Sequence, residues 1–105
     1  MSSKVKISEK DFQQQIIDLA KLYGWRCAHF RPALTTHGWR TPVSADGKGF
    51  PDLVLAHPVR GILFAELKSE RGGASPEQIE WIELLGGEIW KPSDLERIVE
   101  VLRGY

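Results

Sequence analysis

The sequence has little cysteine, no long apolar run and no net charge, and the first two of these exclude whole classes of protein. Its one cysteine, Cys27, excludes an intrachain disulfide framework and suits a reducing compartment. No apolar run approaches the roughly 20 residues that a membrane-spanning helix needs, so we expect no membrane partner. Residues 1–7 show no apolar core of a secretory signal. These absences predict a cytoplasmic location.

The charges cancel in number but are unevenly distributed along the chain. A net charge of zero argues, taken alone, against a nucleic-acid-binding protein. However, residues 1–50 carry eight Lys or Arg and four Asp or Glu, whereas residues 51–105 carry six and ten. A protein can present one basic face to phosphate while its far side is acidic. The charge pattern therefore leaves a nucleic-acid surface and an ordinary mixed-charge surface equally open.

The order of the predicted helices and strands indicates the fold class. With 105 residues, the chain is expected to form one domain over residues 1–105. Apolar spacing and turn residues predict helices over 8–23, over 75–85 and from residue 92, and strands over 25–30, 52–56, 62–67 and 88–90. The order is helix, three strands, helix, strand, helix. It predicts an α/β fold with a mixed sheet of about four strands flanked by helices.

Residues 31–50 differ from the rest, because they combine two prolines and three glycines with basic and aromatic residues. We predict a loop of about twenty residues, a length that is uncommon in compact domains and usually functional. Its basic and aromatic residues are Arg31, His37, Trp39, Arg40 and Lys48. Such a set suits nucleic acid, with the cations on phosphate and Trp39 on a base. A mobile insertion with one hydrophobic anchor is the alternative.

Two short segments, 49–55 and 63–68, place ionisable residues beside apolar, strand-like runs. Side chains alternate along a strand, so Glu66 and Lys68 share a face. If the two runs pair, Asp52 meets them at one end of the sheet. Two carboxylates and substrate phosphate oxygens suit Mg²⁺ or Mn²⁺, and an ammonium group suits developing negative charge. A turn aspartate and a surface ion pair are the alternative reading of the same residues.

These segments, followed by a helix start, resemble a known nuclease family. The quoted stretches are Gly49-Phe50-Pro51-Asp52, Glu66-Leu67-Lys68 and Ser75-Pro76-Glu77-Gln78-Ile79-Glu80-Trp81. Their order and spacing resemble the virus-type replication–repair nuclease (VRR-NUC) domain of the PD-(D/E)XK nuclease superfamily. The resemblance runs from the first helix to residues 89–95. It implies a restriction-endonuclease-like core.

The resemblance also implies a role for each matched residue. Asp52, Glu66 and the backbone carbonyl of Leu67 match the ligands of a Mg²⁺ or Mn²⁺ ion. Lys68 matches the catalytic lysine, and Gln78 matches a glutamine of the active site. Gln78 also fits the capping-box position of its helix, and the two roles can coexist.

Two further matches are less specific. The family carries an acidic residue on its first helix, and Glu9 is the best match, with Gln13 or neither residue as the alternatives. Glu9 also suits a first-turn acid that complements the helix dipole. His29, at the end of the first strand, falls where family members hold phosphate-contacting groups. A hydrogen-bonded, partly buried histidine is the other interpretation.

The function implied by the resemblance is hydrolysis of DNA phosphodiester bonds by a metal-dependent endonuclease. Stand-alone members resemble Holliday-junction resolvases, so the expected substrate is branched DNA, in a bacterial or phage-infected cell. Two symmetric cuts call for two related sites, so a homodimer is expected. The alternative is a non-cleaving module that binds branched or single-stranded nucleic acid.

Overall fold

A computed structural model describes residues 7–30, 33–41 and 43–104 of the chain. The helices are α1 (Glu9–Leu22), α2 (Pro76–Leu85) and α3 (Leu95–Arg103). The strands are β1 (Arg26–His29), β2 (Ala33–Thr35), β3 (Gly38–Arg40), β4 (Leu53–His57), β5 (Gly61–Leu67) and β6 (Glu88–Trp90). A short 3-10 turn, Pro92–Asp94, leads into α3. The elements confirm the predicted α/β fold, compatible with a restriction-endonuclease-like core.

The main sheet has four strands in the order β1-β4-β5-β6. Strands β4 and β5 form the predicted antiparallel hairpin, with Leu53 opposite Ala65, and β1 runs antiparallel to β4. Strand β6 is parallel to β5, because α2 carries the chain back so that Glu88 lies beside Ala65 and both strands run in the same direction. Because β4 and β5 are antiparallel, the beginning of β4 and the end of β5 meet at one end of the sheet.

The prediction of an uninterrupted loop over residues 31–50 is wrong. Strands β2 and β3 pair antiparallel in a separate two-stranded sheet, which we call the ribbon (residues 33–40). Thr36 and His37 form its turn, and Gly38 follows with a φ of 95°, a value that favours glycine. Strands of three residues are too short to show an alternating pattern, and the surrounding glycines and prolines are typical of a loop.

One hydrophobic core lies between the main sheet and the helices α1 and α3. Its fully or nearly fully buried residues are Phe12, Ile16, Ala20, Trp25, Leu53, Leu55, Ala65, Leu67, Trp90, Ile98 and Leu102. The indole N–H of Trp25 donates to the backbone oxygen of Leu102 at 2.8 Å, which joins the end of α3 to the segment after α1. Cys27 packs against this core, half-buried, as expected of a small apolar residue.

The predicted helix starts are confirmed and position the two helices beside the sheet edge. The hydroxyl of Ser8 accepts from the backbone N–H of Asp11 at 3.1 Å and caps α1. Ser75 and Gln78 form a complete capping box at the start of α2, with proline in its first turn.

Within the described residues, no helix is long and apolar enough to cross a membrane.

Candidate active site

Asp52 stands immediately before β4 and is held at both its backbone and its side chain. Its backbone oxygen accepts from the N–H of Phe30 at 2.9 Å, which extends the pairing of β1 with β4 by one bond. Its Oδ1 accepts from the backbone N–H of Leu67 at 3.1 Å. The carboxylate thus bridges the start of β4 and the end of β5, the two segments that the sequence places together.

Glu66 is buried at the end of β5 and binds two neighbours through one oxygen. The Nζ of Lys68 lies 3.3 Å from its Oε2, and the Nε2 of Gln78 donates to the same oxygen at 3.0 Å. The other end of the Gln78 amide, Oε1, accepts from the backbone N–H of Ser75 at 2.8 Å. Gln78 therefore makes the capping contact and the contact with Glu66 at once.

Gly49 brings the segment before Asp52 against the start of α2. Its φ is 85°, and a Cβ at this position would lie 2.7 Å from the Cβ of Glu77 and 2.9 Å from the backbone nitrogen of Gln78. Only glycine suits both the backbone conformation and the close approach. This contact fixes the distance between the Asp52 segment and the helix turn that carries Gln78.

The two carboxylates repel each other in a partly desolvated setting. Burial, and then the charge of Glu66, raise the pKa of Asp52 from 3.8 to about 7, against the opposing effects of the Leu67 N–H and of Lys68. Burial also raises the pKa of Glu66, although the Lys68 ammonium and the backbone N–H of Asp52 lower it in part. Both carboxyl groups are therefore harder to ionise at this site than in water.

Glu9 and Gln13 both reach this site from the first two turns of α1. Both line the same cleft as Asp52 and Glu66, and the charge of Glu9 contributes to the raised pKa of each of these carboxylates. Glu9 is exposed, whereas Gln13 is half-buried. Glu9 is therefore the first-helix residue whose charge acts on the site.

An open cleft of about 1030 Å³ joins the carboxylates to the ribbon. The residues expected to act chemically form one part of its lining: Glu9, Gln13, Asp52, Glu66, Lys68 and Gln78. The ribbon and the segment after it contribute another part, including Trp39, Arg40 and Lys48. The structure thus gathers an acidic centre and a basic, aromatic wall in one depression.

The residues predicted to bind DNA do not all reach the cleft. Trp39, Arg40 and Lys48 line it, and Lys48 also lies 3.8 Å from a carboxylate oxygen of Glu77. His29 lies half-buried on β1, opposite Leu53, and is not part of the lining. Arg31 lies outside the described residues.

Sequence reasoning missed an aromatic cluster beside the cleft. Phe30 and Phe50 line it, and the Phe50 ring contacts Phe30, Phe64 and Trp81 edge to face, with centroids 5.8, 6.0 and 5.1 Å apart. The indole N–H of Trp81 donates to the backbone oxygen of Asp46 at 3.1 Å. A single phenylalanine beside a proline carries no periodic signal, so only tertiary packing reveals this cluster.

The donor set fits a hydrated divalent cation better than a cage of protein ligands. In the described parts of the chain, no group of three or more His, Cys, Asp or Glu side chains is arranged around a common metal position. Mg²⁺ usually takes one or two carboxylates and completes its shell with water and substrate phosphate. Burial raises the pKa of both Asp52 and Glu66, and the charge of a neighbouring carboxylate adds to each shift, so a cation beside these groups would favour their ionised forms.

Comparison with known proteins assigns a family to this geometry. The family model described as the VRR-NUC domain matches residues 39–104, most of the chain. The matched part contains Asp52, Glu66, Lys68 and Gln78, and α1 lies outside it. No curated protein and no solved structure gives a match. The VRR-NUC domain supports a nuclease-type function in DNA replication and repair.

Proposed function

The chain belongs to the VRR-NUC domain family, and we propose that it is a metal-dependent endonuclease that hydrolyses phosphodiester bonds in branched DNA. The observation that carries this proposal is the convergence of Asp52, Glu66, Lys68 and Gln78 at one end of the β4–β5 hairpin. Residues 1–105 then act as a single nuclease domain. DNA is the substrate, and the cleft between the carboxylates and the ribbon receives it.

Asp52 and Glu66, with the backbone carbonyl of Leu67, would hold Mg²⁺ or Mn²⁺. A contribution from Glu9 or Gln13 of α1 stays a prediction. When bound, such an ion polarises the phosphate and makes water a nucleophile near neutral pH. The protein contributes rigidity, because the Leu67 N–H fixes Asp52 and Gln78 fixes Glu66. Held carboxylates lose little freedom when they bind a cation or substrate.

Lys68 is the group that meets the reacting phosphate. Its side chain is 16% exposed, against 5% for Glu66, so its ammonium lies on the open side of the ion pair. There it donates to the attacking water or to a phosphate oxygen as negative charge develops. The water oxygen bonds to phosphorus while the bond to the leaving sugar oxygen breaks. The water gives up a proton to solvent, and the sugar oxygen takes one from solvent.

Gln78 acts through Glu66 as a positioning residue. Its amide spans from the backbone of Ser75 to Oε2 of Glu66, so the capped start of α2 sets the orientation of the carboxylate. Arg40 and Lys48, which line the same cleft, bind backbone phosphates, and these contacts give affinity without sequence preference. Phosphate contacts by His29 and Arg31 stay predictions.

The direct test is cleavage of a set of DNAs that share one sequence: a four-way junction, a fork and a continuous duplex. With Mg²⁺ or Mn²⁺, wild type is expected to cut the branched substrates and excess EDTA to stop cutting. Lys68→Ala is expected to lose at least about a hundredfold in rate, the size typical of removing one group that stabilises transition-state charge. Product ends and rates are read on denaturing gels.

Lys21→Ala is the matched control, because Lys21 is an exposed lysine in the last turn of α1 and does not line the cleft. It should cut like wild type. Full cutting by Lys68→Ala, or cutting in excess EDTA, would contradict the mechanism. Salt-sensitive binding of branched DNA with no product under any metal would instead identify a non-cleaving binding module.

A homodimer belongs to the same proposal, since two symmetric cuts in a four-way junction need two related sites. Sedimentation velocity of the protein, free and bound to a junction, measures the number of chains. Two chains per junction are expected. One chain per junction would restrict the proposal to single cuts in branched DNA.

A further inference from the structure

The ribbon exposes two large apolar side chains that face each other across its strands. Leu34 and Trp39 are Cα partners in the β2–β3 register, and directly opposed residues of an antiparallel pair share a face. Their exposed fractions are 68% and 71%. An isolated two-stranded hairpin is marginal in water, and an apolar pair left in solvent forgoes the stabilisation that burial would give. The ribbon therefore presents a surface that gains by being covered.

Trp39 differs in this respect from the other tryptophans of the chain. Trp25 and Trp90 are buried in the core, and Trp81 is half-buried, with its N–H donating to Asp46. Trp39 alone among the four is more than half exposed, and it lines the cleft that contains Asp52. Trp39 therefore brings a largely exposed aromatic ring into the same cleft as the acidic centre.

The charge around Trp39 indicates what covers it. Arg40, the next residue, is exposed and lines the same cleft, as does Lys48, which is 82% exposed at its side chain. Phe30 adds a second exposed ring in this lining. Cations beside exposed aromatic rings complement a nucleotide, whose phosphate takes the charge while its base offers a flat apolar face.

We propose that the ribbon is a base-stacking element that takes one unpaired DNA base, with Trp39 on the face of the base and Leu34 beside it. This proposal rests on the proposed nuclease function and names the feature of DNA that the cleft selects. A base in continuous duplex is covered by its neighbours, so Trp39 gains a partner only where a branch, fork or end frees a base. The ribbon thereby favours DNA with unpaired bases near the phosphate to be cut.

The test measures binding in EDTA, so its outcome does not depend on cleavage. The probes are a fork with unpaired bases and a continuous duplex of the same sequence. Trp39→Ala is expected to weaken fork binding by about tenfold, the loss typical of one base–aromatic stack, and to leave duplex binding unchanged. Trp39→Phe, which keeps a stacking ring, should restore most of the fork preference.

Two matched comparisons separate stacking from other effects. Leu34→Ala and Leu84→Ala remove the same exposed side chain, but Leu34 is the cross-strand partner of Trp39, whereas Leu84 lies on α2. Only Leu34→Ala should lower fork binding. Arg40→Ala should weaken both DNAs equally and reduce the salt slope by about one, as expected for one lost phosphate contact.

Tryptophan emission gives a direct readout of the stack. Binding of the fork should quench wild-type emission, and Trp39→Phe should abolish this change. Unchanged emission together with an unchanged fork-to-duplex ratio in Trp39→Ala would overturn the base-stacking role, even if wild type cuts branched DNA. Fork preference lost in Trp39→Ala by a protein that never cuts would uphold the stacking and overturn the nuclease. No binding of either DNA would overturn both.

Discussion

The carboxylate end of the main sheet and the ribbon both line one cleft but are built in opposite ways. Asp52 and Glu66 belong to a four-stranded sheet, and each is tied by hydrogen bonds to a neighbouring segment. The ribbon is a separate sheet of three residue pairs whose largest side chains lie in solvent. The carboxylate wall is held in place by hydrogen bonds within the fold, whereas the ribbon leaves large side chains exposed to solvent.

This difference matches what each wall has to do. Hydrolysis needs charged groups fixed within a fraction of an ångström, which sheets and capped helices provide. Substrate contact needs exposed cations and rings, which short surface elements provide. The segment between them is anchored on the rigid side, through the contacts of Asp46 with Trp81 and of Gly49 with α2.

Asp52→Asn is expected to have the largest effect on the carboxylate wall of the cleft. The asparagine oxygen still accepts from the Leu67 N–H, but the charge that holds a cation is gone, so cleavage should fall at least about a hundredfold. The same change should raise the free energy of unfolding in EDTA at pH 8 by about 2 kcal/mol, because it removes a repelled, partly buried carboxylate. Gel assays and thermal melts measure the two effects.

The sign of the pH dependence follows from the raised pKa of Asp52. Below pH 3.8 the carboxyl is protonated in both folded and unfolded chains, and the substitution should have little effect. Between pH 3.8 and about 7 the unfolded chain loses its proton first, so wild type loses stability relative to Asp52→Asn. A stability difference that shrinks as pH rises would contradict the raised pKa of Asp52.

Gly49→Ala tests the contact between the segment before Asp52 and the start of α2. A Cβ would meet Glu77 and the backbone nitrogen of Gln78 at 2.9 Å or less, and its φ of 85° is unfavourable for alanine. We expect the free energy of unfolding to fall by about 2–4 kcal/mol in denaturant titrations.

Gly61→Ala is the matched control for that substitution. Gly61 has the same φ of 85°, but a Cβ there would meet nothing within 4 Å. It should cost about 1 kcal/mol, from backbone strain alone. Equal losses in the two variants would show that the contact with α2 does not constrain the segment before Asp52.

The smallest expected effect separates the two roles of Gln78. Ser75→Ala and Gln78→Ala each break the capping box and should each cost about 1 kcal/mol of stability. Only Gln78→Ala removes the hydrogen bond to Glu66, so only this variant should lose about tenfold in cleavage. Matching stability losses with matching rates would reduce Gln78 to a helix cap.

The parts of the site that lie close together in sequence were predictable. Alternation along a strand places Glu66 and Lys68 on one face, and a loop of hairpin length returns β5 to β4 beside Asp52. The capping box likewise follows from Ser75, Pro76 and Gln78. These features depend on local geometry, which a few neighbouring residues define.

The ribbon and the reach of α1 were not predictable in this way. Three-residue strands carry too little pattern, so residues 33–40 were expected to be loop. Whether Glu9 or Gln13 approaches the carboxylates depends on how α1 packs on the sheet through Phe12 and Ile16, not on the spacing within the helix. The aromatic cluster around Phe50 likewise depends on how distant segments pack together.

The sequence by itself determined the helix starts, the β4–β5 hairpin and the set of Asp52, Glu66 and Lys68 that the hairpin brings together. Only the tertiary structure decided that Gln78 binds Glu66, that Gly49 lies against α2 and that Trp39 lines the same cleft as Asp52. The physical reason is range. Local hydrogen bonding and side-chain alternation act over a few residues, whereas the cleft is formed by segments that meet only when the core beneath them is packed.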